Sequence, residues 1–304
     1  MIGAFLAKEV KERVDLWNRF WFTPAEPHTL CLLRVLSGSL MFYTHLVWSF
    51  DLTEIIGPNP WTPSSVAHGV YEKWGRDFSY TWSHFDWLPS TPAVIWAVHI
   101  IALIAFALFA AGYHTRLMAV LSCFFTISYS HRLSLMQYGL DQVNGMMALY
   151  LMLGPCGELY SVDAWMRSRK GATDRPREFI SANIAIRMIQ VHLCIVYLFS
   201  GIQKMKGAPW WDGSALWDAI ASFQYQSADL TWMVHFPIVI AFLTHLTVFW
   251  EAFYPAIVWP RATRWFALGC AVMIHGGIGI AMGMPTFGAA MIFANMSFLS
   301  PLLI

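Results

Sequence analysis

The stretch Tyr197-Leu198-Phe199-Ser200-Gly201-Ile202-Gln203-Lys204 closes an apolar run that begins near Phe179. A run of that length with few charges is what a helix needs to cross the roughly 30 Å hydrocarbon core of a bilayer. Its last residue is a lysine, and two fates are open to a lysine in that place. It snorkels to the headgroups with its stem along the apolar surface, or its ammonium is desolvated and becomes a base usable near neutral pH. The first makes the segment an anchored span, the second makes it a site.

The rest of the chain has the same character. Of its 304 residues, 57% are hydrophobic and 12% charged, against roughly a quarter charged in soluble domains. Sixteen tryptophans and 22 phenylalanines suit a membrane interface. A net charge of +1 provides no field to draw nucleic acid. Cys31, Cys123, Cys156, Cys194 and Cys270 are scattered without CxxC spacing and read as small buried hydrophobes. Residues 1–28 carry charges from Lys8 to Asp15, with Leu6, Val10, Val14, Trp17 and Phe20 to one side. That pattern reads as an amphipathic cytoplasmic segment on the membrane surface, not as a signal peptide.

The fold expected is an all-α polytopic membrane protein of about eight transmembrane helices, at about 30–50, 92–112, 116–136, 143–158, 180–203, 236–258, 264–282 and 285–303. Eight spans leave Lys8, Lys11, Arg13, Arg19, Arg116, Arg167, Arg169, Lys170, Arg175, Arg177, Arg261 and Arg264 on one side. Only Lys73, Arg76, Arg132, Lys204 and Lys206 fall on the other. By the positive-inside tendency both termini are cytoplasmic. Residues 51–91 and 205–235 are then extracytoplasmic loops, each dense in aromatic residues (Phe78 and Tyr80 among them), and 159–179 is a cytoplasmic loop. One domain, residues 1–304, is expected, without internal repeat.

Ionisable side chains at membrane depth need a partner or a task. Arg187, Gln190, Cys194, Tyr197, Gly201 and Lys204 recur at three- and four-residue steps, which gathers them on about a third of one helix face, while His192 and Gln203 point the other way. Glu251 precedes Pro255 by four residues. Counted from the cytoplasmic ends it shares a depth with Arg187, so an Arg187–Glu251 ion pair is expected, with a proton pathway as the alternative. Arg34 is a further intramembrane cation. His275 precedes Gly276-Gly277-Ile278-Gly279, glycines that let a helix or a flat ligand approach. The histidine is either a satisfied core residue or the floor of a pocket under Lys204. His99, His131 and His245 read as core histidines. Asp141 and Asn144 open the fourth span, where capping explains them. No HExxH motif or carboxylate cluster is present, so no metal is expected.

Tyr197-Leu-Phe-Ser-Gly-Ile-Gln-Lys204, followed by Trp211-Asp212-Gly213, then His275, Met282-Gly283-Met284 and Met291-Ile292-Phe293-Ala294, resemble the HTTM (horizontally transferred transmembrane) domain family. This is the membrane part of vitamin K-dependent gamma-glutamyl carboxylase. Arg34, Asp141 with Asn144, and Glu251 with Pro255 also resemble family positions. The resemblance implies that Lys204 deprotonates a reduced, vitamin K-like quinone. It also implies His275 as a second catalytic residue, with Tyr197, Gly201, Asn144 and Trp211 at the cofactor. The carboxylase has a large lumenal domain after its membrane part, whereas the last span here ends near Ile304. Gly145 stands where the carboxylase has a histidine. A soluble extracytoplasmic domain protein or a peptide substrate is therefore an implied partner. The same family includes membrane proteins that mature a secreted peptide.

Three functions remain open at this point. One is a carboxylase- or epoxidase-like enzyme (lyase or oxidoreductase) of the bacterial inner membrane, acting on a quinol. The second is a non-catalytic scaffold or maturation factor. The third, a transporter, lacks an evident inverted repeat.

Overall fold

The computed structural model describes residues 2–75, 77, 81–171, 177–225 and 227–300, which are helical with turns and contain no strand, only a single antiparallel bridge between Ala25 and Phe179. Arg76, Phe78, Tyr80, Arg175 and the end of the expected last span lie outside the described residues. Contacts divide the chain into two compact units, Met1–Arg187 and Met188–Ser300.

The first unit begins with α1 (Ile2–Phe22), an unbroken helix. Val10, Val14 and Trp17 on its expected apolar stripe are about half or more exposed. Next come α2 (His28–Trp48), the short α3 (Leu52–Ile56) and α4 (Ser64–Lys73), then α5 (Pro92–Ala111), α6 (Thr115–Arg132), α7 (Gly139–Leu153) and α8 (Val162–Arg169). Pro92 starts α5, where its fixed φ fits and its missing N–H costs nothing. Gly112 ends α5 at φ 73°. A Cβ at Gly112 would lie 1.7 Å from the Arg34 guanidinium, so only glycine fits on both counts.

Arg34 is fully buried, and it has a local task. Its guanidinium donates to the carbonyl of Phe109 at 3.4 Å and to that of Tyr160, placing a cation at the negative end of the α5 dipole. Gly38 brings α2 onto α5, since a Cβ there would stand 3.0 Å from Ala110 Cα. Close backbone approach through small residues is the usual glue where lipid gives helices no hydrophobic incentive to associate. Asn183 donates to the carbonyls of Phe20 and Trp21 at the end of α1, and Arg187 lies 4.5 Å over the Phe20 ring.

The unit boundary falls within α9 (Ile180–Lys204). The second unit continues with the short α10 (Ala208–Asp212) and α11 (Ala215–Ile220), then α12 (Pro237–Ile257), α13 (Arg261–Ala281) and α14 (Pro285–Asn295). The segment after α9 does not lie apart as a loop. It runs back along α12: Gly213 abuts Ala241, and Leu216 N–H donates to Thr244 Oγ1 at 3.1 Å. The α13–α14 hairpin is closed by Gly288, whose Cβ would meet the His275 carbonyl at 2.4 Å.

Among the described residues, five segments are long and apolar enough to cross a membrane: His28–Ile56, Pro92–Ala111, Ile180–Lys204, Pro237–Ile257 and Arg261–Ala281. These match five of the eight expected spans. The stretches expected at 116–136, 143–158 and 285–303 are helical but differ in kind. Of these, α7 and α14 span 15 and 11 residues, short of the roughly 20 a crossing needs. The 18-residue α6 mixes serines, threonines and arginines into its apolar face.

Candidate functional site

The expected stripe on α9 is its buried face. Gln190, Cys194, Tyr197 and Gly201 are buried, whereas Gln203 is exposed. Gly201 makes the tightest contact there, since a Cβ would lie 2.5 Å from the backbone nitrogen of Ala252 on α12. That contact sets Glu251 against the end of α9. Lys204 Nζ lies 2.6 Å from Glu251 Oε2 and donates to Ser200 Oγ at 2.7 Å, with the Trp210 ring 5.5 Å away. The carboxylate side chain is 7% exposed and the lysine 25%. Pro255, four residues on, has no N–H for the Glu251 carbonyl, so the backbone at the carboxylate keeps a free acceptor.

Two expectations change here. The partner of Glu251 is Lys204, not Arg187, which stacks on Phe20 in the first unit. Lys204 is also not at a boundary of the helix it faces. Glu251 stands some fourteen residues from the start of α12, about 21 Å at 1.5 Å per residue. The helix carrying the lysine therefore stops deep beside α12, because the α9–α12 crossing is staggered.

A polar network lies one turn below. Tyr254 Oη donates to Asn295 Oδ1 at 2.7 Å, which fixes the amide: Asn295 Nδ2 donates to the Met291 carbonyl and to Tyr197 Oη, both at 2.8 Å. Tyr197 Oη is 2.8 Å from His275 Nε2. With its oxygen already accepting from Asn295, the tyrosine hydrogen points to His275 Nε2. A neutral ring then carries its own hydrogen on Nδ1. His275 is 3% exposed, and Nδ1 is buried without a partner. Tyr197 packs on Trp250 and Tyr254 with ring centroids 4.8 and 4.3 Å apart, and Phe287 meets His275 edge-on at 5.8 Å. Beside His275, a Cβ on Gly276 or Gly277 would meet nothing within 4 Å, while Gly279 abuts Pro285. One glycine of the run thus serves helix packing, and the faces of the other two are unfilled.

The structure brings Lys204, Glu251, Tyr197, Gly201 and His275 into one unit, and Gln190 there donates to the Ser297 carbonyl at 2.7 Å. Arg34, Arg187 and Asn144 belong to the first unit, where Asn144 is buried on α7. Trp211 is exposed and donates to the Met205 carbonyl at 2.7 Å; the indole near the lysine is that of Trp210. Sequence reasoning missed Asn295, Tyr254, Ser200 and Trp250. The one available signal was an asparagine inside the apolar run Met291–Phe298. The histidines read as core are indeed partnered: His99 by Tyr129 at 2.6 Å and Ser49 at 2.9 Å, His131 by the Trp82 backbone, and His245 by the carbonyls of Ala241 and Trp211. No group of three or more His, Cys, Asp or Glu side chains that could hold a metal occurs among the described residues.

A chain with several apolar helices of crossing length and an ion pair between two of them is an α-helical membrane protein. It belongs to the HTTM family: the HTTM domain model matches residues 22–301, nearly the whole chain. Searches against curated proteins and against solved structures return no match.

Proposed function

We propose that the second unit is a proton-accepting site for a lipophilic hydroxyl compound, of which a reduced, vitamin K-like quinone is the type. The observation that carries this reading is the Lys204–Glu251 pair at helix depth beside a hydrogen-bond chain that ends in an unpartnered, buried donor, His275 Nδ1. In this reading Lys204 acts as the free amine, with Glu251 as its hydrogen-bond partner. The amine takes the hydroxyl proton: the O–H bond breaks, an N–H bond forms, and the oxygen keeps the electron pair. Glu251 holds the resulting ammonium. His275, oriented through Tyr197 and Asn295, is the second polar group of this reading, with Nδ1–H as the donor to a ligand oxygen. A quinol would supply a hydroxyl that, once ionised, reacts with dioxygen.

Around this site, the distribution of basic residues supports cytoplasmic termini, and the proposal takes the chain as a multi-pass protein of a bacterial inner membrane. Counting α6, α7 and α14 with its following turn as crossings gives eight, and the close α13–α14 hairpin supports including the last. A soluble extracytoplasmic domain or a peptide would complete carboxylation chemistry.

The test is reduced naphthoquinone consumption by purified protein in liposomes under air. Wild type turns it over, and Glu251→Gln slows it roughly 100-fold, the usual scale of a proton-transfer contribution. Folded wild-type protein that is inert towards reduced naphthoquinones would leave the second reading, a scaffold or maturation factor. That reading is favoured by the Gly201–Ala252 contact and by a pair that also serves helix packing.

A further inference from the structure

A second built feature lies at the far end of the first unit and takes no part in proton handling. Between the start of α6 and α8 is a cleft of about 440 Å³ lined by His114, Thr115, Arg116, Leu117, Asp163, Met166, Arg167 and Lys170. Its depth is set by α5, a helix of membrane-crossing length that ends at Gly112. The Gly112 carbonyl accepts from Asp163 N–H at 3.0 Å, so α8 begins where a crossing helix stops, at the height of the lipid headgroups.

The chemistry of the cleft follows from what is already occupied. Asp163 spends both oxygens inside the fold: Oδ1 accepts from His114 N–H at 2.9 Å, and Oδ2 accepts from the N–H and hydroxyl of Thr115, each at 2.7 Å. Arg167 is paired with Glu158 at 3.2 Å. Arg116 and Lys170 have no carboxylate within 4 Å among the described residues, and both are exposed. Among the described residues the cleft therefore holds two cations without a carboxylate partner. Its lining includes two exposed apolar side chains, Leu117 at 56% and Met166 at 39%. Cations flanked by exposed apolar side chains at headgroup height fit a ligand with an anionic head and hydrocarbon tails.

We propose that this cleft binds the phosphate of an anionic phospholipid, with Arg116 and Lys170 on the phosphate oxygens and Leu117 and Met166 against the upper acyl chains.

Full-length protein is titrated in detergent with phosphatidylglycerol or phosphatidylcholine, and bound lipid is counted by native mass spectrometry. Phosphatidylglycerol is retained in preference to phosphatidylcholine. Arg116→Gln and Lys170→Gln each weaken its retention roughly fivefold, since a basic side chain near an anionic surface is worth about 1 kcal/mol. Both variants keep the wild-type unfolding temperature, and Lys8→Gln on α1 keeps wild-type retention. Equal retention by the Arg116 and Lys170 variants, or an equal loss in Lys8→Gln, overturns the site. Complete displacement by millimolar inorganic phosphate would show a soluble phosphate site and overturn the lipid assignment.

Discussion

At the scale of single residues the decisive pair is Lys204 with Glu251. The Glu251 side chain is 7% exposed, and Lys204 Nζ lies 2.6 Å from it. Removing one partner strands the other, at a cost of about 3–5 kcal/mol, whereas replacing both by apolar side chains of similar volume is close to neutral. Lys204→Met alone should therefore lower the unfolding temperature in detergent markedly, and Lys204→Met with Glu251→Leu should restore most of it. Additive losses in the double variant would mean that the pair carries no coupling. The stripe that holds Lys204 was legible from a period of 3.6 residues, because helix phase depends on nothing outside the helix. Its partner was not, because a partner depends on the offset between two helices. Counting depths from the cytoplasmic ends assumes that α9 and α12 start level, and under that assumption Arg187 faces Glu251. The stagger fixed by Gly201 on Ala252 brings Lys204 there instead. Asn295 escaped notice for the same reason: only the α13–α14 hairpin brings its amide to Tyr197.

At the scale of elements, two helix ends bear testable weight. Gly201→Val would drive a side chain into the Ala252 backbone. Overpacking of this kind costs about 1–3 kcal/mol, and the same change would push Lys204 away from Glu251. The expected outcome is a lower unfolding temperature together with loss of quinol turnover, with Gly269→Val, at an open position on α13, as the harmless comparison. The second end is the start of α6. Burial alone would raise the Asp163 carboxyl, but the N–H and hydroxyl of Thr115 and the N–H of His114 outweigh it and hold the carboxyl below the usual range. A carboxyl depressed in the fold stabilises above its unfolded value, near 3.9, and that contribution is lost as pH falls through the lower folded value. Asp163→Ala should cost about 1 kcal/mol at neutral pH, as the loss of a cap does. The gap in unfolding temperature between variant and wild type should close below about pH 4. A gap that persists in acid would remove the carboxylate from the account.

At the scale of the molecule, five crossing helices are legible from composition alone, since length and apolarity are local properties. The three remaining expected spans, in α6, α7 and α14, do not carry that signature. In α6, α7 and α14 the apolar runs are short or interrupted, and their burial comes from neighbours. The orientation is open to a direct check. All five native cysteines are buried, so a Ser168→Cys variant offers a single accessible thiol. A reagent that does not cross membranes should label it only after permeabilisation; labelling in intact cells would invert the topology. The staggered end of α9 has an electrical meaning as well. Lys204 and Glu251 lie roughly two thirds of the way along α12, so a proton reaching them from either side traverses part of the potential across the bilayer. At about 2.3 kcal/mol per charge per 100 mV, one to two thirds of the field is worth roughly 0.8–1.5 kcal/mol. A charge moved between this depth and either side of the bilayer is thereby coupled to the membrane voltage.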